Sequence, residues 1–333
     1  LYFNSKLLNP SSDINKLLYN KNNILQISNE YNLLKDKLIK IKNIQNSLIH
    51  IFDTNFTKNK NIQTIYFNDL LEQCNQNETL LNYYNIFNVY FPIYNIISPI
   101  ILLVIPIIFK KLFPDIFFSS TKFIFDMIFL GVPDFNITNI TDFKTLFTKC
   151  ISILFFLYNL YISVKFSYHT TCINTCIKNN LENIKTIVNT TNDIYNIIGK
   201  KLKYQLLEST KVIKDLEHIE TNNNGTNLKL YKTIIKNKED FIPYIKFIAF
   251  IDYLVSINTL MYNKYNLVKY TKNEPKLVIK DFKHPFLENS ITNSINISNN
   301  KNIIITGPNA SGKSTLIKSI IINILMAQTI GVS

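Results

Sequence analysis

Apolar residues step by threes and fours along 12–52. Leu34, Leu38, Ile41, Ile44, Leu48 and Ile51 fall on one face, which predicts an amphipathic helix. Asp13, after Ser11 and Ser12, is placed to cap its start. The same period returns at Leu181, Ile184, Val188, Ile194, Ile198, Leu202, Leu206, Val212, Ile213, Leu216 and Ile219. It predicts one long helix over 178–220, suited to packing along a partner helix. Thr191 and Ser209 interrupt the stripe, and Gly199 weakens such a helix by about 1 kcal/mol relative to alanine. The run Thr221–Gly225 ends it, and a third helix, apolar on one face, is predicted over about 228–265.

Between these arms the period gives way to continuous grease. No charged side chain occurs from Thr79 to Phe109, a stretch that includes the apolar run Phe91–Phe109. A second uncharged run spans Cys150–Val164 and reaches further if Lys165 snorkels. Ile116 to Leu130 is apolar too, but carries Lys122 and Asp126. A bilayer core needs about 20 predominantly apolar residues in a helix. A membrane hairpin is therefore expected, with spans near 84–109 and 148–170; the alternative is a buried helical hairpin. Pro92, Pro99 and Pro106 favour the former, because proline is better tolerated in membrane helices. Lys110 and Lys111 beside the first run and the Lys excess of the flanks give opposite orientations, which a re-entrant hairpin reconciles. Two glycosylation-type sequons at Asn136 and Asn139 read as chance in so Asn-rich a chain.

Composition adds less than its totals suggest. All 36 basic residues of the 333 are Lys, with no Arg, so forked guanidinium recognition is excluded. The net charge of +13 suits a polyanionic partner. Most of the excess, however, lies in 178–333, with 21 Lys against 12 acids, while 80–177 has 6 Lys against 4 Asp. A hydrophobic content of 47% excludes a disordered chain, and four Cys do not make a disulfide scaffold.

After residue 270 the pattern changes. Lys276–Ile279 is strand-like, and Asn302–Thr306 reads as a buried strand. Directly after it come Gly307, Pro308, Asn309, Ala310, Ser311, Gly312, Lys313, Ser314 and Thr315, then an apolar helix over Leu316–Ile330. This is the P-loop pattern in its strand–loop–helix setting. Gly307 and Gly312 let the backbone curl so that N–H groups point inward, and the helix N-terminus adds partial positive charge. Lys313 reaches the β- and γ-phosphates, and the Ser314 hydroxyl ligates Mg²⁺. ATP with Mg²⁺ is the expected ligand.

The wording of this loop, Ile305–Thr315, followed by Leu325–Gly331, resembles the ATPase domain of the MutS family of DNA mismatch-repair proteins. Lys283–Glu288 looks like the family's R-H-P-h-h-E element with Lys283 for Arg, and Ile251–Ser256 is similar to a segment of its returning lever helix. Leu7–Pro10 with Asp13 and Ile14 resembles the start of its core domain. The resemblance covers about 1–60 and 178–333. It implies long lever helices that leave, form a clamp and return to an ABC-type ATPase, with a composite ATP site shared by a homo- or heterodimer and with DNA as a partner. Here the clamp position is taken by the apolar stretch 80–177, which favours a membrane-anchored variant. The family's mismatch-reading Phe-x-Glu wedge has no counterpart. Ser290 stands about where the family has an adenine-stacking aromatic, so the base is expected near Phe286, Ile291 and Asn293. Walker B carboxylates, the signature Ser and the switch His would lie beyond Ser333. The chain is thus expected to bind ATP without hydrolysing it alone, and reads as part of a longer ATPase.

His169, Cys172 and Cys176 share nearly one helical face, but lack the fourth ligand that a zinc site needs, and read as a core or membrane-flank group. His284 reads as a structural part of its His-Pro turn. The expected fold is mostly α, long lever helices with a hydrophobic helical hairpin, followed by the start of an α/β P-loop ATPase domain. Its expected parts are 1–79 outgoing core and lever helices, 80–177 hairpin, 178–270 returning levers and 271–333 the first part of the ATPase. The functional expectation is a MutS-like ATPase, membrane-associated, with its ATPase facing the cytoplasm, nucleus or a virus factory. Two alternatives stand beside it: a membrane scaffold with a vestigial nucleotide site, and a soluble intracellular DNA-binding repair ATPase with a buried apolar clamp. An ABC transporter half fits less well, because transporter ATPases do not sit behind a lever in this order.

Overall fold

The computed structural model describes residues 9–53, 60–112, 143–202, 204, 210–218, 223–263, 265–272, 276–287, 290–298 and 303–333. Over 98–112 and 143–150, and at a few other helical positions, the description is of the backbone alone. The chain is mostly helical and divides into two compact units. One comprises 1–45, 186–210 and 239–333; the other comprises 46–185 and 211–238.

In the first unit, α1 (Ile14–Ile27) begins where the Asp13 side chain accepts from the Asn15 N–H at 2.9 Å, the cap expected of it. A 3₁₀ turn at Ser28–Glu30 separates it from α2 (Tyr31–Ile44). The expected stripe is buried at Leu34, Leu38 and Ile41, and continues in the second unit at Leu48 and Ile51 of α3 (Asn46–Phe52). One predicted helix is thus three, broken at Ser28–Glu30 and Gln45.

The second unit adds a short α4 (Lys60–Gln63), then α5 (Glu78–Leu112) and the greater part of α6 (Phe143–Ile194). The first apolar run lies on α5. The second lies on α6, which continues without a break into the returning arm. Among the described residues, no helix is long and apolar enough to cross a membrane. The expected spans at 84–109 and 148–170 are therefore not supported there. The side chains of 98–109 and 148–150 fall outside the described residues, as do both sequons.

The single helix expected over 178–220 is also corrected. α6 ends at Ile194 in a widened π turn, Tyr195–Gly199, and α7 (Lys211–His218) is separate. Gly199 permits this, because a Cβ there would lie 2.5 Å from Cδ2 of Tyr195. Ser209 and Ile219 lie outside the described residues. Asn223 caps α8 (Asn224–Lys236), accepting from the Gly225 N–H at 2.9 Å, so the Asn-rich run starts a helix as well as following one. The third predicted helix is likewise two, α8 and α9 (Ile242–Tyr262), with a 3₁₀ turn between them and Pro243 in the first turn of α9. Proline fits there because its missing N–H would have no intrahelical partner.

α9 is buried on one face at Tyr244, Phe247 and Ile251 and nearly all round over 253–258, at Tyr253, Leu254 and Ile257 among others. The Asn258 amide donates to Ile24 O at 3.3 Å, tying it to α1. The second unit has its core at Leu81, Ile177, Leu181, Ile184, Ile213, Leu228 and Ile234. Lys229 bridges to Glu78 at 2.8 Å on its surface.

The remainder of the first unit is a two-stranded antiparallel hairpin, β1 (Leu277–Phe282) and β2 (Asn293–Ile297), and the helix α10 (Lys313–Thr329). The ladder slips between Ile279 and Phe282, where Asp281 takes φ 52°, a bulge. Its N–H is satisfied by Ser294 Oγ at 3.0 Å.

Candidate nucleotide-binding loop

α10 starts where Gly312 makes it start. This residue is the N-cap at φ 85°, a left-handed conformation open to glycine at no steric cost. Nothing lies within 4 Å of a Cβ built there, so the constraint is on the backbone and not on space. Ala310 is left-handed as well, at φ 61°. The Ser311 N–H closes a turn onto Pro308 O at 3.3 Å, and the first helical bond runs from Leu316 N to Gly312 O at 2.9 Å. The N–H groups of Lys313, Ser314 and Thr315 stand in the first turn, ahead of any intrahelical carbonyl. Together with the helix dipole they favour an anion.

Lys313 folds back over the loop. Its ammonium donates to Gly307 O and Pro308 O, both at 2.5 Å, and to Ser311 Oγ at 3.4 Å. A Cβ on Gly307 would sit 3.0 Å from that same Ser311 Oγ, a tight approach. Asn309, Ser314 and Thr315 are exposed. First-turn N–H donors, one ammonium and an exposed hydroxyl are a donor set that fits a polyphosphate with Mg²⁺ on Ser314.

The segment leading into the loop departs from expectation. Residues 303–306 form no strand, and Ile304 is 86% exposed. A buried parallel strand needs ladder neighbours, and none faces 303–306 among the described residues. The α/β sheet expected of this part is therefore not formed there.

The residues expected near adenine lie in the connection between β1 and β2. Phe286 and Ile291 are 79% and 83% exposed, and Asn293 opens β2 opposite Phe282. His284 organises this connection. Its carbonyl accepts from Leu287 N at 3.2 Å, and its Nδ1 accepts from Phe286 N at 3.3 Å, the structural part expected of it.

Sequence pattern missed what holds these pieces together. Asn323, buried on α10, donates to Lys283 O at 3.2 Å, fixing the β1–β2 connection to the P-loop helix. At the far end of α10, Gly331 (φ 81°) turns the chain, and 266–268 pairs with 331–333 through bonds of 2.9–3.0 Å. The Tyr270 hydroxyl donates to Ala327 O at 2.6 Å, Lys21 of α1 donates to Val268 O at 3.0 Å, and Ser11 N donates to Gln328 O at 3.0 Å. Residues 325–333 after the loop are thus part of the joint between α10, α1 and the chain leaving α9. A lone Asn on an apolar helix face was the one available signal for Asn323.

His169, Cys172 and Cys176 lie along α6, the two thiols exposed. Among the described residues no group of three or more His, Cys, Asp or Glu could hold a metal ion.

Comparison with known proteins finds relatives over part of the chain. Over 126 residues, 36% of the chain, the sequence is 35% identical to the DNA mismatch repair protein MutS of Thermotoga maritima. Over 137 residues it is 35% identical to MutS of Clostridioides difficile, and over 142 residues 30% identical to the DNA mismatch repair protein MSH3 of Debaryomyces hansenii. Each of the latter two matches covers 38% of the chain. The matches span only 14–16% of the length of these relatives. No family model matches the chain, and no solved structure matches it. The partial similarity supports the MutS family and a relation to mismatch repair.

Proposed function

We propose that this chain is the nucleotide-binding and lever part of a MutS-like mismatch-repair ATPase, which binds ATP with Mg²⁺ and is anchored through its apolar hairpin. The observation that carries the reading is the loop Gly307–Thr315 at the N-terminus of α10, with Lys313 folded over its mouth. A triphosphate supplies competing oxygens for that ammonium. Lys313 then leaves Gly307 O and Pro308 O for the β- and γ-phosphates, while the first-turn N–H groups hold the remaining oxygens and Ser314 holds the cation. The exposed faces of Phe286 and Ile291 offer apolar surface for the base, and Asn293 a polar edge. Movement of α10 on nucleotide binding would pass through the Gly331 joint to α1 and the base of α9. Dimerisation through the ATPase part and contact with DNA belong to the same reading.

The test is phosphate length. Binding of ATP, ADP and AMP, measured by calorimetry with and without Mg²⁺, should weaken in that order, and AMP should bind at least tenfold more weakly than ATP. Equal binding of ATP and AMP contradicts the reading.

A further inference from the structure

α10 buries amide and hydroxyl side chains in a helix rich in Ile. Ser319 and Asn323, one turn apart on the same face, are buried, whereas Ile317, Ile321 and Leu325 are exposed. Burying an amide costs free energy unless its groups are bonded. Asn323 uses both of its amide protons. Nδ2 donates to Lys283 O at 3.2 Å and to Ser319 O at 2.8 Å, and Oδ1 accepts from Ser333 Oγ at 3.4 Å.

The bond to Lys283 O fixes a register. Apolar packing tolerates a small slide of one element on another, whereas a hydrogen bond to one carbonyl is met in one arrangement. Lys283 immediately precedes His284. Nδ1 of His284 accepts from Phe286 N at 3.3 Å, and its carbonyl accepts from Leu287 N at 3.2 Å and from Ser290 Oγ at 3.5 Å. The Phe286 ring stands edge-on to the imidazole, with 6.1 Å between centroids. A line of bonds thus runs from α10 through Lys283 and His284 to the exposed ring expected near adenine. Residue 323 lies ten positions after Lys313 on the same helix, about 15 Å along its axis. Its amide therefore does not touch phosphates held at the helix N-terminus.

We infer that Asn323 is the positioning residue of the base site. It sets where the connection between β1 and β2 stands on the P-loop helix, and so supports affinity for the base and not for the phosphates. The inference rests on the nucleotide reading proposed above. A platform already in place loses no ordering free energy when the base docks, whereas one free to slide on α10 does. Leucine at 323 would keep the volume but could not hold the register.

Two ligands that differ by the nucleoside separate the roles. ATP and inorganic tripolyphosphate, each with Mg²⁺, are titrated calorimetrically into the full chain, and the parent should prefer ATP. Asn323→Leu should weaken ATP about fivefold, the equivalent of one net hydrogen bond, and leave tripolyphosphate within about twofold. Ser319→Ala is the control, since its hydroxyl bonds to Thr315 O of the same helix at 2.8 Å, and it should keep the parent's ratio of affinities. Asn323→Ala removes the same donor while favouring the helix, and reads the same ratio if the leucine variant does not fold. A ratio equal to the parent's in the Asn323 variants, whether both affinities fall or neither does, overturns the inference alone. So does an equal loss of ratio in Ser319→Ala, because general loosening of the face would then suffice. A parent that binds tripolyphosphate as tightly as ATP has no base site to position, which also overturns it. A parent that binds neither ligand overturns the nucleotide reading and the inference with it.

Discussion

The side-chain amide of Asn323 donates to the main-chain carbonyl of Lys283 at 3.2 Å, joining the P-loop helix to the connection between β1 and β2. Both the candidate phosphate site and the candidate base site depend on elements that this amide ties together. Asn323→Leu keeps the apolar volume and removes the donor. It should lower stability by about 1 kcal/mol, the net contribution of a typical hydrogen bond. Urea denaturation monitored by circular dichroism measures this; an unchanged midpoint would show that the tie contributes nothing.

Gly225 makes a second close approach. A Cβ there would lie 2.1 Å from Glu78 O, at the start of α5. Gly225→Ala improves intrinsic helix propensity by about 1 kcal/mol, but it forces the backbones apart at a cost of about 1–3 kcal/mol. The net should be destabilising, seen as a lower thermal midpoint. A midpoint above that of the unaltered protein would contradict the packing of α8 on α5.

Tyr270 links stability to pH at the Gly331 joint. Burial pushes its hydroxyl from 10.0 up to about 12. A raised pKa in the folded state means that the folded chain holds this proton more tightly than the unfolded chain does. Its contribution is fully present below pH 10 and is lost as pH rises through 12. Tyr270→Phe should cost about 1 kcal/mol at neutral pH, through the lost bond to Ala327 O, and should flatten the fall in stability between pH 10 and 12. Burial pushes Tyr66 and Tyr231 up too, so some alkaline slope should survive. An identical slope in variant and parent would remove Tyr270 from the account.

DNA binding, if carried by the Lys-rich 178–333, rests on ammonium–phosphate contacts. Affinity for duplex DNA should then fall steeply between 50 and 200 mM salt, on the order of tenfold or more, and should be equal for matched and mismatched duplexes. Mismatch-selective retention at the higher salt would contradict this.

Local signals in the sequence reached the structure where the physics was local. Asp13 caps α1, five of the six stripe positions from Leu34 to Ile51 are buried, with Ile44 partly exposed, and the glycine that starts α10 is the one the loop pattern requires. Breaks were harder to read. The π turn at Tyr195–Gly199 depends on how one ring sits against a missing Cβ, and the 3₁₀ turn before α9 falls in the polar run Lys236–Asp240, which the solvated face of one continuous helix explains equally well. The segment 303–306 was apolar enough for a buried strand, but a strand is a property of its neighbours, which lie elsewhere in sequence. Asn323 and Tyr270 were invisible for the same reason: each makes a bond to a carbonyl 40 or more positions away.

The central claim is that Lys313 binds the phosphates of ATP. Calorimetric titration of ATP and Mg²⁺ into the full chain and into Lys313→Ala tests it most directly, with Tyr270→Phe as a folded control carrying a change elsewhere in the same unit. The account predicts at least a tenfold loss of affinity in Lys313→Ala, with the far-ultraviolet circular dichroism unchanged and little loss in the control. Equal affinity in Lys313→Ala and the parent would contradict it.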